Sequence, residues 1–180
     1  MNLVAIQGVR GSYSEEATIK ILGKDAEILE CEDFEATFSA IEIGTAKWGV
    51  VPVENKIVGK IEIPRRLLKR SGLRILEKLP LKVRHVLAGT GDSEFEDLIS
   101  VRSHVEALKQ CRRFLSANSH IVRVIGADTA SSVRRIVDEG VPTNAAIGSR
   151  RAAELYGAKI LRENIADDID NWTTFYLIGA

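Results

Sequence analysis

Residues 145–157 read A-A-I-G-S-R-R-A-A-E-L-Y-G and contain a complete strand–turn–helix unit. The short apolar run predicts a buried strand, and Ser149 carries the hydroxyl group of a good helix N-cap. Gly157 is typical of the residue that ends a helix. Strands that alternate with helices in this way indicate an α/β fold with a largely parallel sheet. The same unit recurs, with predicted strands at Leu3–Gln7, Leu98–Val101, Val122–Ile125 and Ala145–Ile147.

Further extended segments suggest that the chain forms two lobes. Trp48–Val53 and Phe175–Ile178 are apolar strands, and residues 76–85 look like a run that passes from one sheet to another, with a return near Lys159–Ile169. We expect each lobe to be a mostly parallel sheet flanked by helices, with a ligand cleft between the lobes that can close. The predicted boundaries are 1–77 with 168–180 for the first lobe and 78–167 for the second.

The composition is that of an ordinary globular protein without net charge. Of 180 residues, 45% are hydrophobic, and 25 Lys plus Arg balance 25 Asp plus Glu. A balanced charge argues against a nucleic-acid partner. The sequence has neither a long apolar run nor a signal peptide before its first strand, which predicts no membrane partner and a cytoplasmic location.

The side chains that bind metals or cofactors are few and scattered. Cys31 and Cys111 lie far apart without a CxxC motif, and the histidines lack metal-ligand spacing. The chain also has no GxGxxG, no P-loop lysine motif and no nucleophile elbow. We therefore predict no metal and no organic cofactor.

Hydroxyl side chains follow several predicted strands at the start of a helix. Ser103 and Glu106 have the spacing of a capping box, and Asp128 or Thr129 would cap the next helix. Helix N-termini also bind small anions, so these residues are either simple caps or parts of an anion-binding cleft. His104, beside the first cap, either contacts an anion or is structural.

The stretch V-V-P-V-E-N-K (50–56) places an acid and an amide after an apolar strand. Because Pro52 is tolerated at a sheet edge or a strand end, we expect Glu54 and Asn55 to lie at an edge. The amide of Asn55 can both donate and accept hydrogen bonds. It either contacts a ligand or forms a turn.

Five blocks of sequence together resemble the prephenate dehydratase family, in order and at compatible spacing along nearly the whole chain. They are G-V-R-G-S-Y-S-E-E-A (8–17), G-V-V-P-V-E-N-K-I-V-G (49–59), S-H-V-E-A-L-K-Q-C (103–111), D-T-A-S-S (128–132) with the 145–157 stretch, and N-W-T-T-F-Y-L-I-G (171–179). The resemblance implies a lyase that converts prephenate, a dianion, to phenylpyruvate with loss of water and carbon dioxide. It also implies a cofactor-free homodimer or higher homo-oligomer with the architecture of type II periplasmic binding proteins.

The same resemblance implies residue roles. Thr173 would donate a hydrogen bond or a proton to the leaving hydroxyl group. The implied catalytic residues are Thr173, Asn55, Glu54 and Gln110, and the implied substrate-binding residues are Ser12, Tyr13, Ser14, Ser103, His104, Thr129, Asn171 and Thr174.

Three positions depart from the family pattern. Thr174 stands where the family has arginine, Lys56 replaces serine and Val105 replaces proline. Arginine is a rigid, permanently charged group that binds carboxylates, so its absence leaves two alternatives to prephenate dehydratase activity open. They are an arogenate-type dehydratase and a non-catalytic relative that binds or senses a small carboxylate. We expect no phenylalanine-binding regulatory domain in this chain.

Overall fold

The structure, a computed structural model, describes residues 3–180 and confirms the α/β class. The chain forms two compact units: one runs to Val83 and includes Asn171–Ala180, and the other comprises Arg84–Asp170. These boundaries fall later than the predicted ones because the long strand that ends at Lys82 pairs with the C-terminal strand. Asn171 also belongs to the first unit, since its carbonyl oxygen accepts a hydrogen bond from the Val83 N–H.

The first unit is a mixed sheet with helices. Its strands are β1 (Leu3–Gln7), β2 (Glu27–Cys31), β3 (Trp48–Asn55), β4 (Gly59–Lys60), β5 (Arg74–Lys82) and β11 (Trp172–Gly179). Its helices are α1 (Tyr13–Leu22), α2 (Phe34–Glu42) and α3 (Glu62–Arg70). The strand order is β2-β1-β3-β11-β5, and β4 pairs with β3. The β1 pairings are parallel, whereas β11 is antiparallel to both of its neighbours.

The second unit repeats this design. Its strands are β6 (Val86–Gly89), β7 (Ser100–Ser103), β8 (Val122–Ile125), β9 (Asn144–Gly148) and β10 (Lys159–Arg162). Its helices are α4 (Val105–Gln110), α5 (Arg112–Ala117), α6 (Thr129–Glu139) and α7 (Arg150–Tyr156), with a 3-10 turn at Phe95–Asp97. The order is β10-β6-β9-β7-β8, parallel across β9, β7 and β8 and antiparallel elsewhere. Both sheets are therefore mixed rather than mostly parallel.

Local capping explains where several helices begin and end. Ser149 Oγ accepts a hydrogen bond from the Ala152 N–H at 2.9 Å, and Gly157 ends α7 in the left-handed conformation, both as predicted. Of the two candidate caps for α6, the structure selects Asp128, whose carboxylate accepts from the Ser131 N–H at 2.7 Å. Thr129 is then the first helical residue.

Ser103 does not cap a helix, so the capping box predicted at Ser103 and Glu106 is wrong. β7 extends to Ser103, and its buried hydroxyl group donates to the Ile147 carbonyl oxygen on β9 at 2.6 Å. The helix cap moves one residue on, to His104, whose Nδ1 accepts from the Glu106 N–H at 3.2 Å. The Ser103 hydroxyl group thus donates to a tertiary carbonyl oxygen instead of accepting from a local backbone N–H.

The expected edge position of Glu54 and Asn55 is also wrong. β3 lies inside the sheet, with β1 and β4 on one side and β11 on the other. Pro52 is tolerated because pairing with β1 ends at Val50 and the register with β11 shifts next to Pro52.

No helix within residues 3–180 is both long enough and apolar enough to cross a membrane.

The buried hydrogen bond of Ser103 predicts a difference in stability between two serines of β7. Ser103→Ala removes a buried donor from the Ile147 carbonyl, which should lower the free energy of unfolding by about 1–3 kcal/mol. Ser100→Ala is the matched control, since the Ser100 hydroxyl group donates to the half-buried Asn144 side chain, and it should cost less than about 1 kcal/mol. Urea unfolding measures both; equal losses would contradict the assigned role of Ser103.

Candidate active site

The carboxamide of Asn55 is the centre of a buried hydrogen-bond network in the first unit. Its Nδ2 donates to Asn171 Oδ1 and to Thr173 Oγ1, both at 2.8 Å. Its Oδ1 accepts from the backbone N–H groups of Ile57 and Val58, at 2.9 and 3.0 Å. Each donor and acceptor of this amide is therefore used.

These contacts fix the direction in which the Thr173 hydroxyl group can donate. Two backbone N–H groups hold the Asn55 oxygen, so its NH₂ group must face Asn171 and Thr173. The oxygen of Thr173 is then an acceptor from Asn55, and its own proton has no acceptor within the described residues 3–180. Thr173 is 7% exposed, so this donor is held in one place and is still reachable.

Strand pairing separates the predicted residues of this unit into two groups. Asn55 lies opposite Thr173, and Glu54 lies opposite Thr174. Because successive residues of a strand point to opposite faces, Glu54 and Thr174 lie on the other face of the sheet. Glu54 is exposed there. The structure thus brings Asn55, Asn171 and Thr173 together and keeps Glu54 and Thr174 away from them.

The glycine-rich turn before α1 is closed by a buried carboxylate. Glu15, which is 1% exposed, accepts from the Gly11 N–H at 2.6 Å and from Arg10 Nε at 3.1 Å. Ser12 caps α1 by accepting from the Glu15 N–H, and Tyr13 and Ser14 form the first turn. Any anion bound at this helix start must therefore share its donors with the Glu15 carboxylate.

Gln110 is the predicted catalytic residue of the second unit, and it contacts a buried histidine. Gln110 Oε1 lies 2.8 Å from His85 Nε2, and His85 is 3% exposed. Burial lowers the pKa of His85, and the hydrogen bond with Gln110 opposes this effect more weakly. His85 is therefore held as a neutral imidazole at neutral pH.

The backbone of Gln110 is fixed by the loop that precedes β11. The Asp167 N–H donates to the Gln110 carbonyl at 2.7 Å, and the Asp167 carboxylate accepts from the Arg113 N–H at 2.8 Å. Burial, together with the charge of Asp167, raises the pKa of the neighbouring Cys111 to about 12. Cys111 is thus an inert core thiol.

The structure gives the other predicted residues of this unit structural contacts. Ser103 bonds to Ile147, His104 caps α4, and Thr129 starts α6. Within residues 3–180 no group of three or more His, Cys, Asp or Glu side chains is arranged to hold a metal ion.

Sequence reasoning missed two residues that organise these surroundings. Glu15 had a signal, because Ser12 and Glu15 have capping-box spacing. The only sequence signal for His85 is its position directly before the fully buried strand β6. The position of His85 in the sequence does not predict its hydrogen bond with Gln110.

The family model of prephenate dehydratase matches residues 4–180, on which all the motifs described above lie. The chain belongs to the prephenate dehydratase family. The resemblance seen in the sequence is therefore confirmed.

Individual relatives agree with this family assignment. The chloroplastic arogenate dehydratase/prephenate dehydratase 1 of Arabidopsis thaliana is 39% identical over 176 residues, which cover 98% of this chain and 44% of the relative. The solved prephenate dehydratase of Arthrobacter aurescens, in complex with L-Phe, superposes with a TM-score of 0.90 at 25% identity, covering 98% of this chain and 60% of that one. The quorum-quenching acylase GqqA has a TM-score of 0.87 at 30% identity, covering 98% and 63%. This family member thus spans less than half the length of its plant relative.

The buried neutral His85 predicts that this family member loses stability in mild acid. Below a pH of about 6.5 the unfolded imidazole takes up a proton that folded His85 resists, so acid favours unfolding. The free energy of unfolding should fall as pH drops below that value, by at most about 1.4 kcal/mol per pH unit from this group.

Chemical unfolding at about pH 7 and about pH 5 checks this expectation. His85→Gln should reduce the loss of stability in acid, because glutamine cannot titrate. His120→Gln, at an exposed histidine, is the control and should leave the acid dependence nearly unchanged. An acid dependence that is the same in wild type and His85→Gln would contradict the assignment.

Proposed function

We propose that this chain is a prephenate dehydratase, a lyase of phenylalanine biosynthesis that converts prephenate to phenylpyruvate, water and carbon dioxide. The observation that supports it is the Thr173 hydroxyl group, whose oxygen is occupied by Asn55 while its proton remains available. Membership of the prephenate dehydratase family supports the reaction class.

The reaction requires one proton and little other chemistry. The bond between the ring and its carboxylate breaks, carbon dioxide leaves, and the released electron pair moves into the ring. The bond from the opposite ring carbon to its hydroxyl group breaks at the same time, and the ring becomes aromatic. The departing oxygen takes a proton and leaves as water. The protein must bind a dianion, hold the geometry and donate to that oxygen.

In this proposal Thr173 donates to the leaving hydroxyl group and Asn55 acts through Thr173. A threonine hydroxyl is a weak acid in water. The hydrogen bond from Asn55 Nδ2 stabilises negative charge that develops on Thr173 Oγ1 and strengthens its donation. Asn55 is then a positioning residue rather than a group that touches the substrate. The contacts of Asn171 and Ser103 favour structural roles for both.

The remaining contacts with the substrate are assigned to fewer residues than the sequence implied. Gln110 and the turn formed by Ser12, Tyr13 and Ser14 are the proposed substrate contacts. His104 and Thr129 stay among the proposed contacts because they lie at helix starts, where backbone N–H groups favour carboxylates. Glu54 and Thr174 are left out because they lie on the opposite face of the sheet from Thr173.

Arogenate is the second candidate substrate. It is favoured by the activity named for the Arabidopsis relative, which is both an arogenate and a prephenate dehydratase. The acylase activity named for GqqA has no comparable support, because the side chain that hydrogen-bonds the Thr173 hydroxyl group is the amide of Asn55 rather than a general base. A cytoplasmic location and a homodimer or higher homo-oligomer stay predictions from the sequence.

The proposed role of Thr173 predicts the behaviour of matched threonine variants. Thr173→Val keeps the shape and removes the hydroxyl group, so kcat should fall between about a hundredfold and ten-thousandfold. Thr173→Ser keeps the donor and should retain most of the activity. Thr174→Val, on the opposite face, should change kcat little. Phenylpyruvate formation from prephenate at neutral pH is the measurement.

The outcomes of this assay separate the candidate functions. An unchanged rate in Thr173→Val would refute the donor role. A wild-type chain that binds prephenate without turning it over would refute the proposed activity and favour a non-catalytic relative. Turnover of arogenate but not of prephenate would assign the second substrate.

Asn55→Asp tests the direction of the hydrogen bond. The carboxylate still accepts from the Ile57 and Val58 N–H groups, but it also accepts a hydrogen bond from the Thr173 hydroxyl group, which can then no longer donate to the substrate. We expect kcat to fall at least about tenfold, while circular dichroism still shows a folded chain. Asn164→Asp, at an exposed asparagine, is the control. Full activity of Asn55→Asp would show that Thr173 does not need its proton.

A further inference from the structure

The buried ring of His85 contacts the side chain of Gln110, and the proposed chemistry gives this contact no role. His85 lies directly before β6 and is almost completely buried, whereas Gln110 is the last residue of α4 and is half-buried. Their side chains meet at 2.8 Å, through Nε2 of the ring and Oε1 of the amide. A buried ring thus contacts the carboxamide oxygen of a half-buried side chain.

We propose that His85 is a positioning residue that sets the orientation of the Gln110 carboxamide for contact with the substrate. This inference rests on the proposed function, in which Gln110 touches the substrate. His85 donates its Nε2–H to Gln110 Oε1, and the amide NH₂ is therefore turned away from His85. The substrate then meets a hydrogen-bond donor at Gln110 rather than an acceptor.

The chemistry of the two groups determines this orientation. An amide oxygen only accepts hydrogen bonds, so the ring nitrogen that faces it must carry the proton. A neutral imidazole has a single N–H, and burial keeps this ring neutral. Rotating the amide by half a turn would bring its N–H groups against the Nε2–H of the ring. A ring that carries its proton on Nε2 therefore selects one of two nearly isosteric amide orientations.

The backbone of Gln110 is also held by a hydrogen bond. Its carbonyl oxygen accepts from the Asp167 N–H at 2.7 Å, where α4 ends. Asp167 in turn accepts from the Arg113 N–H at the start of α5. Because the backbone is fixed by one loop and the amide by His85, little freedom remains to misplace the donor.

Two substitutions of His85 distinguish orientation of Gln110 from simple core packing. His85→Gln places an amide N–H near the former Nε2 position, and His85→Asn places one near the former Nδ1 position instead. We expect His85→Gln to keep kcat for prephenate within about threefold of wild type. His85→Asn should lower it between about tenfold and a hundredfold, since misplacement of a positioning group has effects of that size. Equal activity of the two variants would overturn the proposal.

A double-mutant cycle tests whether His85 acts through Gln110. In a Gln110→Leu background, His85→Asn should cause almost no further loss of kcat, because the group it orients is gone. Losses that multiply would show that His85 acts independently of Gln110 and would overturn the proposal. Urea unfolding of each variant separates loss of fold from loss of orientation.

The protonation of the ring provides a readout that does not depend on activity. Nitrogen-15 NMR of the histidine-labelled chain should show His85 as the neutral tautomer with its proton on Nε2. A proton on Nδ1 alone would overturn the proposal even in an active enzyme. A wild-type chain inert toward prephenate would instead refute the proposed function, and with it the role of Gln110 in binding, whatever the tautomer.

Discussion

The four hydrogen bonds of the Asn55 carboxamide are the constraint on which the arrangement of the first unit depends. They connect the end of β3 to the start of β11 and to the turn that leads into β4. An amide can satisfy these contacts because it combines two donors with an oxygen that accepts twice. Aspartate at this position would reverse the polarity of the Thr173 contact, and leucine would leave several buried polar groups unsatisfied. The same geometry that stabilises the strand ends therefore orients the proposed proton donor.

Strand alternation explains why the departures from the family pattern need not disable the site. The family arginine is replaced by Thr174, which lies opposite Glu54 and on the other face of the sheet from Thr173. An arginine there would point away from the Asn55 network, so its loss removes no group from the face that carries the hydroxyl donor. Lys56, the replacement for serine, is held at the strand end by a hydrogen bond from its N–H to the Trp172 carbonyl oxygen.

Local features were predictable from the sequence, whereas tertiary partners were not. The cap at Ser149 and the stop at Gly157 follow from chemistry within a few residues. At Ser103 the same reasoning failed because a carbonyl 44 residues away competes for the hydroxyl group. The motifs identified Asn55, Thr173 and Gln110 as candidates, but strand pairing across 118 residues brings Asn55 to Thr173. His85 and Gln110 lie on different elements, and periodicity carries no information about such a pair.

A crystal structure of the chain with a saturated analogue of prephenate, which keeps the hydroxyl group and both carboxylates but cannot become aromatic, tests the central claim most directly. The account predicts that the analogue's hydroxyl oxygen lies about 2.7–2.8 Å from Thr173 Oγ1, with Asn55 Nδ2 still bonded to the same threonine oxygen. A hydroxyl group bound more than about 4 Å from Thr173, or held by another side chain, would contradict it.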